Sequence, residues 1–128
     1  MDSISNMVTR LKNAARAKRQ SVTLPHSKFA EAALSALHRA GYVESVSARG
    51  EKPRRSLEVM LKYENDSPVF NEVRRISKPS RRLYRGANEI RRVRNGYGKM
   101  FLTTSRGIMT DNEARKAHIG GEPLFQIW

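Results

Sequence analysis

Apolar residues early in the chain recur at intervals of three and four, the spacing of an amphipathic helix. One such stripe consists of Ile4, Met7, Val8, Leu11 and Ala15. A second stripe follows the short β-like run Val22–Leu24, which stops at Pro25, and consists of Phe29, Ala33, Ala36, Leu37 and Ala40. Ser27 precedes this second helix as an N-cap, and Gly41 follows it as a C-terminal glycine. The pattern therefore predicts two helices separated by a short strand.

Alternating apolar and polar residues predict a pair of strands after the second helix. The clearer of the two is Ser56–Tyr63, and the other is Tyr42–Ala48. The turn-forming segment Arg49–Pro53 between them predicts a hairpin. The polar stretch Glu64–Pro68 then indicates a subdomain boundary, so we expect residues 1–64 to form an N-terminal α-β-α-β-β unit.

Residues 65–128 differ in character and predict a β-rich unit with one short helix. The strand candidates are Glu72–Ser77, Leu83–Arg85, Lys99–Ser105 and Pro123–Trp128, with turns at Ser77–Ser80 and Asn95–Gly98. Thr110 and Glu113 have the spacing of a capping box for a helix that runs through Lys116. Gly120 and Gly121 are expected to close that helix. The predicted fold class is α/β, of the α+β type, with the N-terminal subdomain packed on the C-terminal one.

The charge of the chain points to a polyanionic partner. The 128 residues include 25 Lys and Arg against 12 Asp and Glu, a formal charge of +13, and Arg outnumbers Lys 17 to 8. Ten of the basic residues lie in residues 66–100, which hold three acidic ones. Because like charges at this density repel one another unless a partner neutralises them, a polyanion is the preferred partner. Nucleic acid comes first, since guanidinium groups suit bidentate contact with phosphate, and an acidic membrane comes second.

The composition excludes several classes of protein. Without cysteine there is no disulfide scaffold, thiolate metal site or cysteine nucleophile. No stretch approaches the roughly 20 apolar residues that span a bilayer, and the first residues lack a secretory core. The three histidines are scattered, the carboxylates are dispersed, and no glycine-rich loop of a nucleotide-binding enzyme appears. We therefore expect no catalysis, no cofactor, no small-molecule substrate and no membrane partner.

The strongest binding signal is Thr103–Gly107, which we name the hydroxyl turn because three consecutive hydroxyl side chains precede a glycine. Hydroxyls donate and accept hydrogen bonds, so they can contact base edges and ribose 2′-hydroxyl groups of folded RNA. A Thr-rich edge strand closed by a local side-chain turn is the alternative, and composition does not choose between the two. Gly120–Glu122 is a second compact turn, the Gly-Gly-Glu turn. Glu122 is either an ordinary solvated acid, or it accepts hydrogen bonds from bases or orients the hydroxyls.

Basic residues are dense in the segment before these turns. They are Arg74, Arg75, Lys78, Arg81, Arg82, Arg85, Arg91, Arg92 and Arg94. As a set they indicate phosphate contact rather than a solvated face. We expect removal of Arg74 or Arg82 to weaken binding to every RNA alike. Tyr84 and Tyr97 are interleaved with the cations and can stack on bases, although packing in the core or in a hairpin is the preferred interpretation for both.

Several stretches of the chain resemble the family of the eighth protein of the small ribosomal subunit. They are, in chain order, Met7–Ala14, Ile76–Pro79, Asn95–Gly98, Thr104–Arg115, Gly120–Glu122 and Trp128. The resemblance extends over essentially the whole chain. The pattern Thr-Ser-x-Gly-x-x-Thr-Asp-x-Glu-Ala-Arg within it is too specific for chance agreement.

The resemblance implies a two-part α/β protein that binds the central domain of small-subunit ribosomal RNA and helps that domain fold during assembly. It also implies neighbouring small-subunit ribosomal proteins as partners and, in bacteria, repression of a ribosomal-protein messenger. The expected location is a cytoplasmic ribosome, with an organellar ribosome left open. The family's RNA-binding positions match Thr103, Thr104, Ser105, Gly107, Gly120, Gly121 and Glu122, together with Lys28 near the N-terminus. To these we add Arg74, Arg75, Lys78, Arg82 and Tyr84 as expected RNA contacts.

Three positions depart from the family's pattern. Thr103 replaces a common serine and keeps the hydroxyl, whereas Ser80 replaces a common glycine and puts the turn type there in doubt. Pro123 removes one backbone donor at the start of the final strand. The rival function from another class is a basic protein that coats acidic membranes or any nucleic acid without preference, and an enzyme is the third alternative.

Overall fold

A computed structural model describes residues 3–51, 53–78, 80–93 and 96–128. The chain is a mixed α+β protein, as expected, and it divides into two compact units, Met1–Asn71 and Glu72–Trp128. The expected turn residues Pro79 and Asn95 and the cation Arg94 lie outside the described residues. Within the described part, no helix has the length and apolar character that a membrane crossing requires.

The first unit is a three-stranded antiparallel sheet with two helices. Its elements are α1 (Ser3–Arg16), β1 (Ser21–Pro25), α2 (Lys28–Arg39), β2 (Val43–Arg49) and β3 (Ser56–Leu61), and the strand order is β1-β3-β2. The predicted α-β-α-β-β order and the β2–β3 hairpin are confirmed. Alternation along β3 buries Leu57, Val59 and Leu61, and the helices supply Leu11 and Leu37 to the buried core.

The start and end of α2 follow the sequence signals. The Ser27 hydroxyl accepts a hydrogen bond from the backbone N–H of Ala30 (3.0 Å). Gly41 follows the helix with a φ angle of +87°, a conformation that glycine adopts without steric cost. One predicted core residue is wrong, because Phe29 is 40% exposed and the helix buries Leu34 instead.

The polar stretch after β3 forms a small hairpin within the first unit. Strand β4 (Tyr63–Glu64) pairs with β5 (Ser67–Pro68). Asn65 and Asp66 between them have φ angles of +52° and +63°. Positive φ at both central residues is typical of a type I′ turn, which favours asparagine and aspartate. The polar composition therefore reflects a tight turn, and the division into units falls after Asn71.

The second unit is a four-stranded antiparallel sheet in the order β6-β9-β7-β8. Its elements are β6 (Val73–Arg75), β7 (Lys99–Thr104), β8 (Gly107–Thr110), α3 (Asp111–Ala117) and β9 (Glu122–Ile127), with a 3₁₀ turn at Ala87–Glu89. The predicted capping box is confirmed. The Thr110 hydroxyl accepts from the N–H of Glu113 (3.2 Å), and the Glu113 carboxylate accepts from the N–H of Thr110 (3.0 Å).

Three details of the second unit differ from the sequence expectations. Strand β8 was not predicted, because its four residues lead directly into the capping box and show no clear alternation. Leu83–Arg85 is not a strand, and only Arg85 pairs with the sheet, at Gly121. Helix α3 is closed by His118, whose φ of +55° is left-handed, before the chain reaches Gly120.

Pro123 lies next to an irregularity in the pairing of β7 with β9. Phe101 pairs with Phe125 and Leu102 pairs with Pro123, so Leu124 is the extra residue of a β-bulge. Proline is tolerated at a bulge because a ladder hydrogen bond is already missing there. The rings of Phe101 and Phe125 stack with their centroids 5.1 Å apart, which anchors the two strands on the other side of the bulge.

A buried carboxylate ties α3 to β7. The side chain of Asp111 is 4% exposed and accepts hydrogen bonds from the backbone N–H of Met100 (3.1 Å) and the guanidinium of Arg115 (2.7 Å). Both partners are needed, because burial of an unpaired carboxylate is strongly unfavourable. Asp111 therefore fixes the helix that follows β8.

We expect Asp111→Ala to lower the free energy of unfolding by about 2–3 kcal/mol, because it leaves the N–H of Met100 without its acceptor and removes a charged hydrogen bond. Urea unfolding followed by circular dichroism measures the change. Asn112→Ala, at an exposed position of the same helix, is the control and should change this free energy by less than about 0.5 kcal/mol. Equal effects of the two substitutions would contradict the role given to Asp111.

Candidate functional site

The hydroxyl turn, Thr103–Gly107, joins β7 to β8. Thr104 pairs with Gly107 across the two strands. The hydroxyl of Thr104 donates to the carbonyl oxygen of Gly107 (2.8 Å) and accepts from the backbone N–H of Arg106 (3.1 Å). Gly107 has a φ of +99°, which favours glycine at this position. Thr104 therefore closes the turn locally, which is the structural alternative that the sequence left open.

The other two hydroxyls of this turn remain available for a ligand. Ser105 lies at the tip and is exposed, and Thr103 is half-buried on β7. Neither hydroxyl has a hydrogen-bond partner among the residues that the structure describes. A ligand that approaches the tip therefore meets Ser105 first, with Thr103 behind it beside β9.

The Gly-Gly-Glu turn and the hydroxyl turn are in contact because their backbones approach closely at Gly121. Thr103 and Glu122 are register partners in the pairing of β7 with β9. A Cβ placed on Gly121 would lie 2.5 Å from the carbonyl oxygen of Thr103 and 2.9 Å from the Cγ2 of Thr104. Only glycine fits this gap. The fold thus brings together two turns that are well separated in the sequence.

Tyr84 and Arg85 form a third side of the site. Arg85 and Gly121 exchange backbone hydrogen bonds of 2.8 and 2.9 Å. A Cβ placed on Gly120 would lie 2.8 Å from the Tyr84 hydroxyl. The expected packing of the two tyrosines is wrong, because Tyr84 is 67% exposed and Tyr97 is 90% exposed. The ring of Tyr84 is therefore accessible for stacking at the edge of the Gly-Gly-Glu turn.

Arg82 binds Glu122 through a two-point ion pair. Its Nε lies 2.9 Å from Oε1 of Glu122, and its Nη2 lies 3.3 Å from Oε2. The Glu122 side chain is 16% exposed, whereas that of Arg82 is 75% exposed. Glu122 is thus not the ordinary solvated acid that one interpretation of the sequence allowed.

Most other expected cationic contacts lie on the protein surface. Arg74, Lys78, Arg81, Arg91 and Arg92 are exposed, and so is Arg106, which was not among the expected contacts. Arg75 is half-buried, and its Nε donates to the carbonyl oxygen of Ser77. Lys28 is exposed at the first position of α2, in the first unit. In the described part of the chain, no cluster of three or more His, Asp or Glu side chains could hold a metal ion.

Sequence reasoning did not find two contributors to this site. The backbone of Arg85 supports Gly121, and buried Ser77 accepts a hydrogen bond from the N–H of Leu83 (3.2 Å), which fixes the segment that leads to Tyr84. The contact of Arg85 with Gly121 is distant in sequence, and the contact of Ser77 with Leu83 joins residues that are six apart. A serine in a basic stretch carries no pattern that would have revealed its burial.

Comparison with known proteins assigns the chain to a family. The family model of ribosomal protein S8 matches residues 2–128. The chain belongs to the ribosomal protein S8 family. The small ribosomal subunit protein uS8 of Campylobacter lari is 44% identical over 128 residues, which cover 99% of this chain and 98% of that protein. The uS8 proteins of Dictyoglomus thermophilum (43% identical, 99% and 97% covered) and Laribacter hongkongensis (44%, 96% and 94%) are similarly close.

Membership of the S8 family confirms the coarse function expected from the sequence. The chain is a structural, RNA-binding protein of the small ribosomal subunit and not an enzyme. Its place on the ribosome follows from the same membership. The two turns are therefore parts of an RNA-binding protein.

We expect Gly121→Ala to lower the free energy of unfolding by about 3 kcal/mol, because the new methyl group would displace the Thr103 carbonyl and open the β7–β9 pairing. Gly107→Ala is the matched comparison. A Cβ there meets nothing within 4 Å, so only the positive φ is penalised, by about 1 kcal/mol. Thermal and urea unfolding of both variants give the comparison. If Gly121→Ala proved the milder change, the close approach of the two turns would be disproved.

Proposed function

We propose that this member of the S8 family binds the central domain of small-subunit ribosomal RNA through the hydroxyl turn, the Gly-Gly-Glu turn and Tyr84, and aids assembly of that domain. The observation that carries the proposal is the contact of the two turns through Gly121, beside an exposed aromatic ring. Together they offer free hydroxyls, a carboxylate and a stacking surface within one small area.

These groups suit an irregular RNA element better than a regular duplex. Hydroxyls and a carboxylate can contact base edges and ribose 2′-hydroxyls, which the wide minor groove and distorted elements of folded RNA present. The tyrosine ring can stack on a base that has left the helix. A turn with short side chains permits the close approach that such contacts need.

The exposed cations have a different role in the proposal. Arg74, Lys78 and Arg81 attract the phosphate backbone and fix the protein on it, without regard to sequence. Lys28 adds a backbone contact from the first unit. Affinity then depends on the cations, and the choice of site depends on the two turns.

Repression of a ribosomal-protein messenger is the second part of the proposal. The same surface would bind a messenger that presents the RNA structure recognised in the ribosomal RNA, since both contacts need the same hydroxyls and the same stacking base. It rests on the family resemblance. Competition between the two RNAs for one site on the protein tests it.

The rival function is unspecific coating of polyanions. A filter-binding titration on fragments of small-subunit RNA, with transfer RNA, heparin and anionic vesicles as competitors, separates the two functions. The proposal expects a central-domain fragment to be bound in preference to all of these competitors. Equal competition by heparin or vesicles would show that charge alone accounts for binding.

We expect Ser105→Ala to reduce the preference for cognate over scrambled RNA by about tenfold, with little change in the dependence of affinity on salt, because it removes a hydroxyl and no charge. Binding to both RNAs over a range of salt concentrations measures the two quantities. Ser47→Ala, an exposed serine on β2, is the matched control and should leave both quantities unchanged.

We expect Arg74→Ala to have the opposite effect. It should weaken binding to cognate and scrambled RNA alike and reduce the slope of log affinity against log salt by about 1, because one phosphate contact is lost. The same titrations measure it. If Arg74→Ala and Ser105→Ala behaved identically, the proposed division between cations and turns would be wrong.

A further inference from the structure

Arg82 differs from the other expected phosphate contacts in having a carboxylate partner. Both oxygens of Glu122 accept from its guanidinium, at 2.9 and 3.3 Å. Its neighbour Arg81 is equally part of the basic segment and is exposed, but the described residues include no side-chain partner for it. The two adjacent arginines therefore present different chemistry to an approaching RNA.

The position of Glu122 explains why it needs this partner. The carboxylate lies in the Gly-Gly-Glu turn and is register partner of Thr103 in the hydroxyl turn. An unpaired carboxylate next to RNA phosphates is repelled, and partial burial adds to its cost. With only 16% of its side chain exposed, Glu122 also has little room to turn away. Pairing with Arg82 cancels the charge and fixes the carboxylate in one orientation.

We propose that Arg82 is a positioning residue of the RNA site: it neutralises Glu122 and orients its carboxylate toward hydrogen-bond donors of the RNA bases, and does not itself hold a phosphate. This inference rests on the proposed function. A planar guanidinium engaged at two points fixes a carboxylate plane, and an ammonium group cannot do this. Arg82 consequently contributes to the choice of RNA and not to general affinity, which replaces the sequence-based expectation that its removal weakens binding to every RNA alike.

The test is a double-mutant cycle between Arg82→Ala and Glu122→Gln, with Arg81→Ala in the same two backgrounds as the matched control. Each protein is titrated with a central-domain RNA fragment and with a scrambled RNA of equal length, and the measured quantity is the ratio of the two affinities. If Arg82 acts through Glu122, each single variant lowers this ratio by about tenfold, and the double variant lowers it no further. Arg81→Ala lowers both affinities by the same factor and leaves the ratio unchanged. It should do so equally in the unaltered protein and in the Glu122→Gln variant.

Arg82→Lys separates positioning from charge and protects the test against a folding defect. Lysine keeps the positive charge but loses the two-point contact, so we expect normal salt dependence with a reduced affinity ratio. If Arg82→Lys restored the ratio in full, charge alone would suffice and the positioning role would be overturned. Thermal unfolding of each variant shows whether the fold is intact, and a change in ratio at unchanged unfolding temperature is not explained by a merely structural ion pair.

The outcomes distinguish failure of this inference from failure of the proposed function. If the unaltered protein binds both RNAs equally, the proposed function fails and the inference falls with it. If the unaltered protein prefers the central-domain fragment but Arg82→Ala behaves like Arg81→Ala, only the inference is overturned. The inference would also be overturned if the double variant lowered the affinity ratio by the product of the two single effects, because Arg82 and Glu122 would then act independently.

Discussion

The site depends on one close approach of backbone to backbone, that of Gly121 to the carbonyl of Thr103. With any side chain at position 121 the gap of 2.5 Å between Cβ and oxygen would be sterically forbidden. The approach is possible because β7 and β9 are neighbours in the sheet and the Arg85 backbone holds Gly121 from the other side. Through it, the hydroxyl turn and the Gly-Gly-Glu turn become one surface. Every functional group assigned to RNA selection lies on or beside that contact.

Much of the fold could be predicted because burial leaves a periodic trace in the sequence. The stripes of α1 and α2 and the alternation in β3 report which side chains leave water. The capping box at Thr110 reports a helix start through its local hydrogen bonds. Phe29 was wrongly assigned to the buried face of α2. It lies in the first turn of the helix, where few preceding helical residues define the buried face. Strand β8 was missed because four residues beside a helix cap are too short for alternation to register.

The individual residues of the candidate site could also be found in the sequence, but not their arrangement. The register of β7 against β9 unites Thr103 with Glu122, and the ion pair unites Arg82 with Glu122 across 40 residues. Neither pairing produces a local pattern. Of the two interpretations that the sequence left open, the local turn applies to Thr104, and the exposed hydroxyl of Ser105 is left for the RNA contact that we propose. The sequence around Tyr84 likewise does not show whether its ring is packed or exposed.

With a formal charge of +13, attraction to phosphates alone does not distinguish one RNA from another. Contacts between cations and phosphates release counterions whatever the RNA sequence, so more of them raises affinity for correct and incorrect RNAs together. Discrimination must come from contacts whose loss on the wrong RNA leaves polar groups unsatisfied. The hydroxyls of Thr103 and Ser105 meet this condition, and so does Glu122 once Arg82 has cancelled its charge. Uncharged hydroxyls and a neutralised carboxylate can therefore select a site while the arginines supply the attraction. Salt should weaken the attraction by the arginines much more than the selection by these groups.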